Sequence, residues 1–154
     1  MFNKSQIGRS MIEMLGVLAI IGVLSVGGLA GYTKAMRTHK INQILAYAQD
    51  AYVATIERRH ATGEFVNYAC SNLIGPFSMP VSDVSFLCSY GNISMAVYVE
   101  IKGDLARSIG IDFCNRVGLL DATGACSQKS IDDDAKVHAE LRKKGWFRAY
   151  NGYN

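Results

Sequence analysis

The sequence predicts an α+β fold: a long N-terminal helix, made of a membrane half and an amphipathic half, packed against a small antiparallel sheet, with short C-terminal helices. Three observations carry this expectation. From Met14 through Thr33 the chain holds about twenty residues without a charge, matching the roughly 20 that cross a hydrocarbon core about 30 Å thick. Beyond them Ile41, Ile44, Leu45, Ala48, Tyr52 and Ile56 recur at three- and four-residue steps, the spacing of one helix face. From Val84 to Ile101 the apolar period shortens to two, the signature of half-buried strands.

Bulk composition sets the frame. The 154 residues are 49% hydrophobic and 19% charged, which excludes a disordered or collagen-like chain and leaves room for one soluble domain beyond the apolar segment. The formal net charge of +3 is spread along the chain, so no nucleic-acid footprint is indicated.

The first element begins with Met1 to Arg9, a short polar stretch whose positive Lys4 and Arg9 predict a cytoplasmic N-terminus. Three readings compete for the apolar run that follows: a removable secretory signal, with Gly28-Leu29-Ala30 as a small-x-small cleavage site, a plain membrane anchor, or a helix that also serves as an assembly surface. Glu13 separates them. A plain anchor has no use for a carboxylate at the edge of its apolar run, and an ionised acid there needs a partner. A milder role is a first-turn acid that complements the helix dipole from the headgroup layer.

Gly8-Arg9-Ser10-Met11-Ile12-Glu13, followed by about twenty apolar residues, resembles the processing site of type IV prepilins and pseudopilins. The resemblance covers residues 1 to about 60. It implies that a membrane prepilin peptidase cuts after Gly8 and methylates the new amino terminus at Arg9. It also implies that Glu13 pairs with the N-terminal amine of a neighbouring subunit during assembly. Two positions depart from the family pattern: the first mature residue, usually Phe or another apolar residue, is Arg9, and the next is Ser10. Under this resemblance residues 1–8 are a leader peptide, 9–33 the transmembrane and assembly half of the helix, and 34–154 a soluble pilin-like head that includes the amphipathic half. The implied partners are further copies in a helical filament, the prepilin peptidase, and the inner membrane with its pilus assembly machinery. The implied location is the bacterial inner membrane before assembly and the cell surface or periplasm afterwards.

Gly16, Gly22, Gly27, Gly28 and Gly31 are numerous for one helix, and Gly27 with Gly31 forms a G-x-x-x-G. They fit close approach of neighbouring helices as well as local unwinding during packing. No proline interrupts residues 9 to 62, and Gly63 after Arg58-Arg59 is the first strong stop. A single rod of roughly 54 residues, on the order of 80 Å long, is expected, with two helices bent near Gly27 to Gly31 as the alternative.

The head begins with Pro76, Pro80 and several polar residues, read as a long loop from Gly63 to about Pro80. Val84, Phe86, Cys88 and Tyr90 then alternate with polar or small residues. Gly91-Asn92 supplies a two-residue turn, and Ile93, Met95, Val97, Val99 and Ile101 alternate on the return. The apolar face of this hairpin is the natural partner of the stripe Ile41 to Ile56. Asp104 is placed as the cap of a helix carrying Leu105, Ile109, Phe113 and Val117 and ended by Gly118. A last helix is expected from Ser130, with acidic Asp132-Asp133-Asp134 in its first turn and basic Arg142-Lys143-Lys144 before Gly145. The aromatic tail of Trp146, Phe147, Tyr150 and Tyr153, with Arg148, suits closure of a core, or else a subunit or receptor contact.

All four cysteines, Cys70, Cys88, Cys114 and Cys126, fall in the part that an N-in topology exports, where an even count indicates disulfides. Three pairings are possible, and loop length favours Cys70 with Cys88 and Cys114 with Cys126. The resemblance to pilins also implies bridges stapling the C-terminal region. No C-x-x-C is present, and the acid triplet lacks the alternating ligands and glycine of a calcium loop, so neither a metal nor a cofactor is expected. No G-x-S-x-G, H-E-x-x-H or phosphate-binding glycine loop appears, and His39, His60 and His138 stand apart, so the chain is not expected to be an enzyme. The reading is a structural subunit of a type IV pilus-like filament. A pseudopilin or minor pilin of a secretion or DNA-uptake system is the alternative, and a signal-anchored periplasmic binding domain is the alternative of a different class.

Overall fold

The computed structural model describes residues 4–63, 66–77, 83–90, 95–118, 126–142 and 145–150, with the side chains of residues 4–10, 66, 90, 128, 130, 134 and 146–150 outside that description. Helix α1 runs over Lys4–Thr62 without interruption at Gly27 to Gly31. The chain divides into two compact units, Met1–Arg37 and Thr38–Asn154, and α1 contributes to both. The first unit is the apolar helical segment. The second is an α+β domain.

In the second unit α1 ends where glycine is required. Gly63 takes φ +66, a left-handed conformation that other residues adopt only at a cost, and its N–H closes the last turn on the Arg59 carbonyl at 3.0 Å. The segment expected to be loop up to Pro80 instead contains strand β1 (Val66–Ala69) and a single turn α2 (Ser71–Ile74). The cause is Cys70, fully buried and tied to Cys88, which draws the chain onto the sheet edge. Residues 78–82, including Pro80, lie outside the described residues.

Strands β2 (Val84–Tyr90) and β3 (Met95–Lys102) form the antiparallel pair that the two-residue period predicts, with Phe86 opposite Val99 and Cys88 opposite Val97. The Gly91-Asn92 turn lies outside the described residues. Helix α3 (Gly103–Val117) follows, and Gly118 caps it in the left-handed region, its N–H on the Cys114 carbonyl. Asp104 is not the cap as expected. Lys102 occupies that position without a side-chain bond, and Asp104 sits in the first turn.

The largest correction concerns the C-terminal third. Helix α4 is short (Gln128–Asp134), so Ser130 lies inside it and not at its start. The expected continuation is strand β4 (Lys136–Arg142), with β5 (Gly145–Tyr150) beside it. Ala135 stops the helix at φ +50 after closing its last turn on the Ile131 carbonyl at 2.8 Å. Lys136, His138, Glu140 and Arg142 then alternate with Val137, Ala139 and Leu141, a strand period carried by residues whose charges resemble a helix end.

Among the described residues the five strands make one antiparallel sheet in the order β1-β2-β3-β4-β5. Its inner face presents Phe86, Cys88, Val97, Val99, Val137 and Ala139 to Ile41, Ile44, Ala48 and Ala51 of α1 and to Leu105, Ile109 and Phe113 of α3, one continuous core. Tyr47, Phe77 and Phe86 cluster at one end with ring centroids 4.5–5.0 Å apart, and the Tyr47 hydroxyl donates to the Gly75 carbonyl at 2.6 Å. Bridges Cys70–Cys88 and Cys114–Cys126 are both present.

Candidate functional site

Two surfaces compete for function, one in each unit. In the first unit, one helix is long and apolar enough to cross a membrane, with a mean hydropathy of 2.2 in its most apolar stretch and none of that stretch buried. Met14, Leu15, Val17, Leu18, Ile20, Ile21, Val23, Leu24, Val26 and Leu29 are 52–75% exposed, a ring of apolar side chains around the whole helix that water does not tolerate.

Two of its hydroxyls bond to the helix's own carbonyls. Ser25 donates to the Ile21 carbonyl at 2.7 Å and Thr33 to the Ala30 carbonyl at 2.9 Å, as hydroxyls must where no water is available. Gly16, Gly22, Gly27, Gly28 and Gly31 have nothing within 4 Å of a Cβ position, so each is a place where another backbone can come close. Glu13 is exposed at the leading edge of this surface. Gly8 and Arg9 fall in the helical span of α1, while the Arg9 side chain lies outside the described residues.

In the second unit, the outer face of the sheet carries charge that the sequence reading did not assemble. Register places Ser85 opposite Glu100, Glu100 opposite His138, and Tyr98 opposite Glu140. Ser85 Oγ donates to Glu100 Oε2 at 3.0 Å, Lys102 Nζ reaches the same oxygen at 2.6 Å, and His138 Nε2 stands 3.5 Å from Oε1. Burial pushes the Glu100 carboxyl upward. Hydrogen bonds from Lys102 and Ser85, with the charges of His138 and Lys102, outweigh it and hold the group below its ordinary value. Beside this cluster lies a groove of about 320 Å³ lined by Ala69, Ser85, Leu87, Tyr98, Glu100 and His138.

That groove contains a serine, a histidine and a glutamate, but not in a nucleophilic arrangement. The serine hydroxyl is bonded to the carboxylate, not to the imidazole, and a carboxylate held below its ordinary value is a weak base. His138 is on β4 and 6% exposed, not on the surface of a last helix, whereas His39 and His60 are exposed on α1. Among the described residues no group of three or more His, Cys, Asp or Glu could hold a metal. The side chains of Trp146, Phe147, Arg148 and Tyr150, and all of Tyr153, lie outside the described residues. No family model matches the chain, and no curated protein and no solved structure matches it.

The outer-face cluster was missed because its members are far apart in sequence and meet only through strand register. The signal was the strict alternation of Lys136 to Arg142, whose polar half is the part that faces Glu100 and Tyr98.

Proposed function

We propose that the chain is a prepilin-like structural subunit, inserted with its N-terminus inside, processed by prepilin peptidase after Gly8, and polymerised into a type IV pilus-like filament through its apolar helix. The observation that carries this reading is the conjunction of Glu13 with an apolar helical surface exposed on all sides. An apolar ring of that length needs lipid or neighbouring helices, and a carboxylate at its edge needs a counter-charge. The Arg9 amine freed by processing is that counter-charge on the adjacent copy. Burial of residues 14–33 among further copies supplies the packing that holds the filament, and the open glycine positions admit close helix contact.

The two disulfides support the same orientation, because such bridges persist on the oxidising side of a membrane, and in this scheme Thr38–Asn154 lies on that side. In this scheme the protein sits in the inner membrane before assembly and on the cell surface or in the periplasm afterwards. A pseudopilin or minor pilin would use the same chemistry in a shorter assembly.

The test is Glu13→Ala. The variant should be processed and folded, with both bridges formed, yet assemble poorly. Normal filament formation by that variant sinks the mechanism. One observation favours a second reading, a signal-anchored binding domain: the groove beside Glu100. For that reading Glu13 is replaceable and no cleavage occurs at Gly8.

A further inference from the structure

We propose that Lys34 and Arg37 form a contact for anionic phospholipid at the end of the apolar segment remote from Glu13. The inference rests on the membrane-inserted reading above and names the partner of that same segment where it leaves the hydrocarbon. Thr33, bonded back to Ala30, is the last residue of the uncharged run, and Lys34 follows it directly. Arg37 follows Lys34 by three positions, so the two cations are neighbours on the helix surface. Both are exposed, and among the described residues neither has an ion pair. Tyr32, 62% exposed, stands two residues before Lys34, where an aromatic ring marks the level of the headgroups.

Two charge arguments identify the occupant. First, cations on this side oppose insertion, because Lys and Arg near a span favour the side from which the chain enters. Lys34, Arg37 and Lys40 follow the apolar run, against only Lys4 and Arg9 before it. A chain that carries them outward gains from a negative partner at that level. Second, the sequence has no Asp or Glu between Glu13 and Asp50, so a neighbouring copy in the same register offers these cations no carboxylate. Lipid phosphate lies at this depth, accepts bidentate hydrogen bonds from the Arg37 guanidinium, and is within reach of a lysine stem lying along the helix.

The test reconstitutes the full chain, at low protein density, in phosphatidylcholine vesicles containing a minor fraction of phosphatidylglycerol. Flotation with the vesicles is scored first, and spin-labelled phosphatidylglycerol and phosphatidylcholine then report which lipid is held against the protein. The wild-type chain should enrich phosphatidylglycerol, by up to about fivefold for each cation, with the preference falling at high salt. The double variant Lys34→Gln with Arg37→Gln should float equally well and lose most of that preference. A floating wild type without preference, or a double variant that keeps it, overturns the proposal and leaves the insertion reading intact. A chain that does not float overturns both.

Discussion

Arg142 holds Glu140 from two positions along the same strand: Nη2 lies 2.6 Å from Glu140 Oε1, and Nε donates to that oxygen at 2.6 Å. Residues two apart on a strand share a face, and between the two the β4–β5 register shifts, at Glu140/Leu141. Glu140 has no exposure, whereas Arg142 remains partly in solvent. The arrangement places a charge inside the sheet and brings its counter-charge from the last residue of the same strand.

Removing the guanidinium takes away the cation bonded to Oε1 of this buried carboxylate. Arg142→Ala should therefore lower unfolding free energy by on the order of 3 kcal/mol, read from the urea midpoint of the chain in detergent, and Arg142→Lys should restore part of it. A change below about 0.5 kcal/mol, typical of a plain surface site, contradicts the assignment.

Glu100 gives the domain an acid-sensitive point. Its folded-state value is depressed by Lys102, Ser85 and His138, so its contribution to stability is fully present above the ordinary carboxylate value and is lost as pH falls through the depressed one. Glu100→Gln should be destabilising at neutral pH, and the gap to the wild-type chain should close at pH values below the ordinary carboxylate range. Urea titrations of both chains across that range make the comparison. A gap that stays constant with pH means that the carboxylate charge plays no part.

Gly110 is a packing glycine. A Cβ there would come within 2.8 Å of Val137 Cγ2 and 3.0 Å of Ile131 Cδ1, and both neighbours are buried. Alanine would gain about 1 kcal/mol of helix propensity in α3 but force an overpacking cost of about 1–3 kcal/mol. Gly110→Ala should be destabilising by about 1 kcal/mol net in a thermal or urea melt. A stabilised variant would mean that β4 and α4 yield more easily than their burial suggests.

Legibility in the sequence followed the range of the signal. The β2–β3 pair was readable because Val84 to Ile101 alternates without competing cues, and the amphipathic half of α1 because Ile41, Ile44 and Ala48 keep a helical step and enter the core. Lys136 to Arg142 was misread because acids at 132–134 and bases at 142–144 imitate the two ends of a helix, outweighing a period of two that was equally present. Strand β1 was invisible for a different reason. It has four residues, and a disulfide and a sheet edge define it more than any pattern of its own. The apolar segment and Glu13 needed only local reading, whereas Ser85, Glu100 and His138 become one cluster only when three strands fix their register.

The central claim is processing at Gly8, and the N-terminus of the membrane-extracted protein tests it most directly. Mass spectrometry of the chain co-expressed with prepilin peptidase should find it beginning at Arg9 with a methylated amine, and beginning at Met1 when the peptidase is absent. A chain that starts at Met1 in both cases, or at Gly31 after cleavage behind Ala30, contradicts the account and removes the role assigned to Glu13.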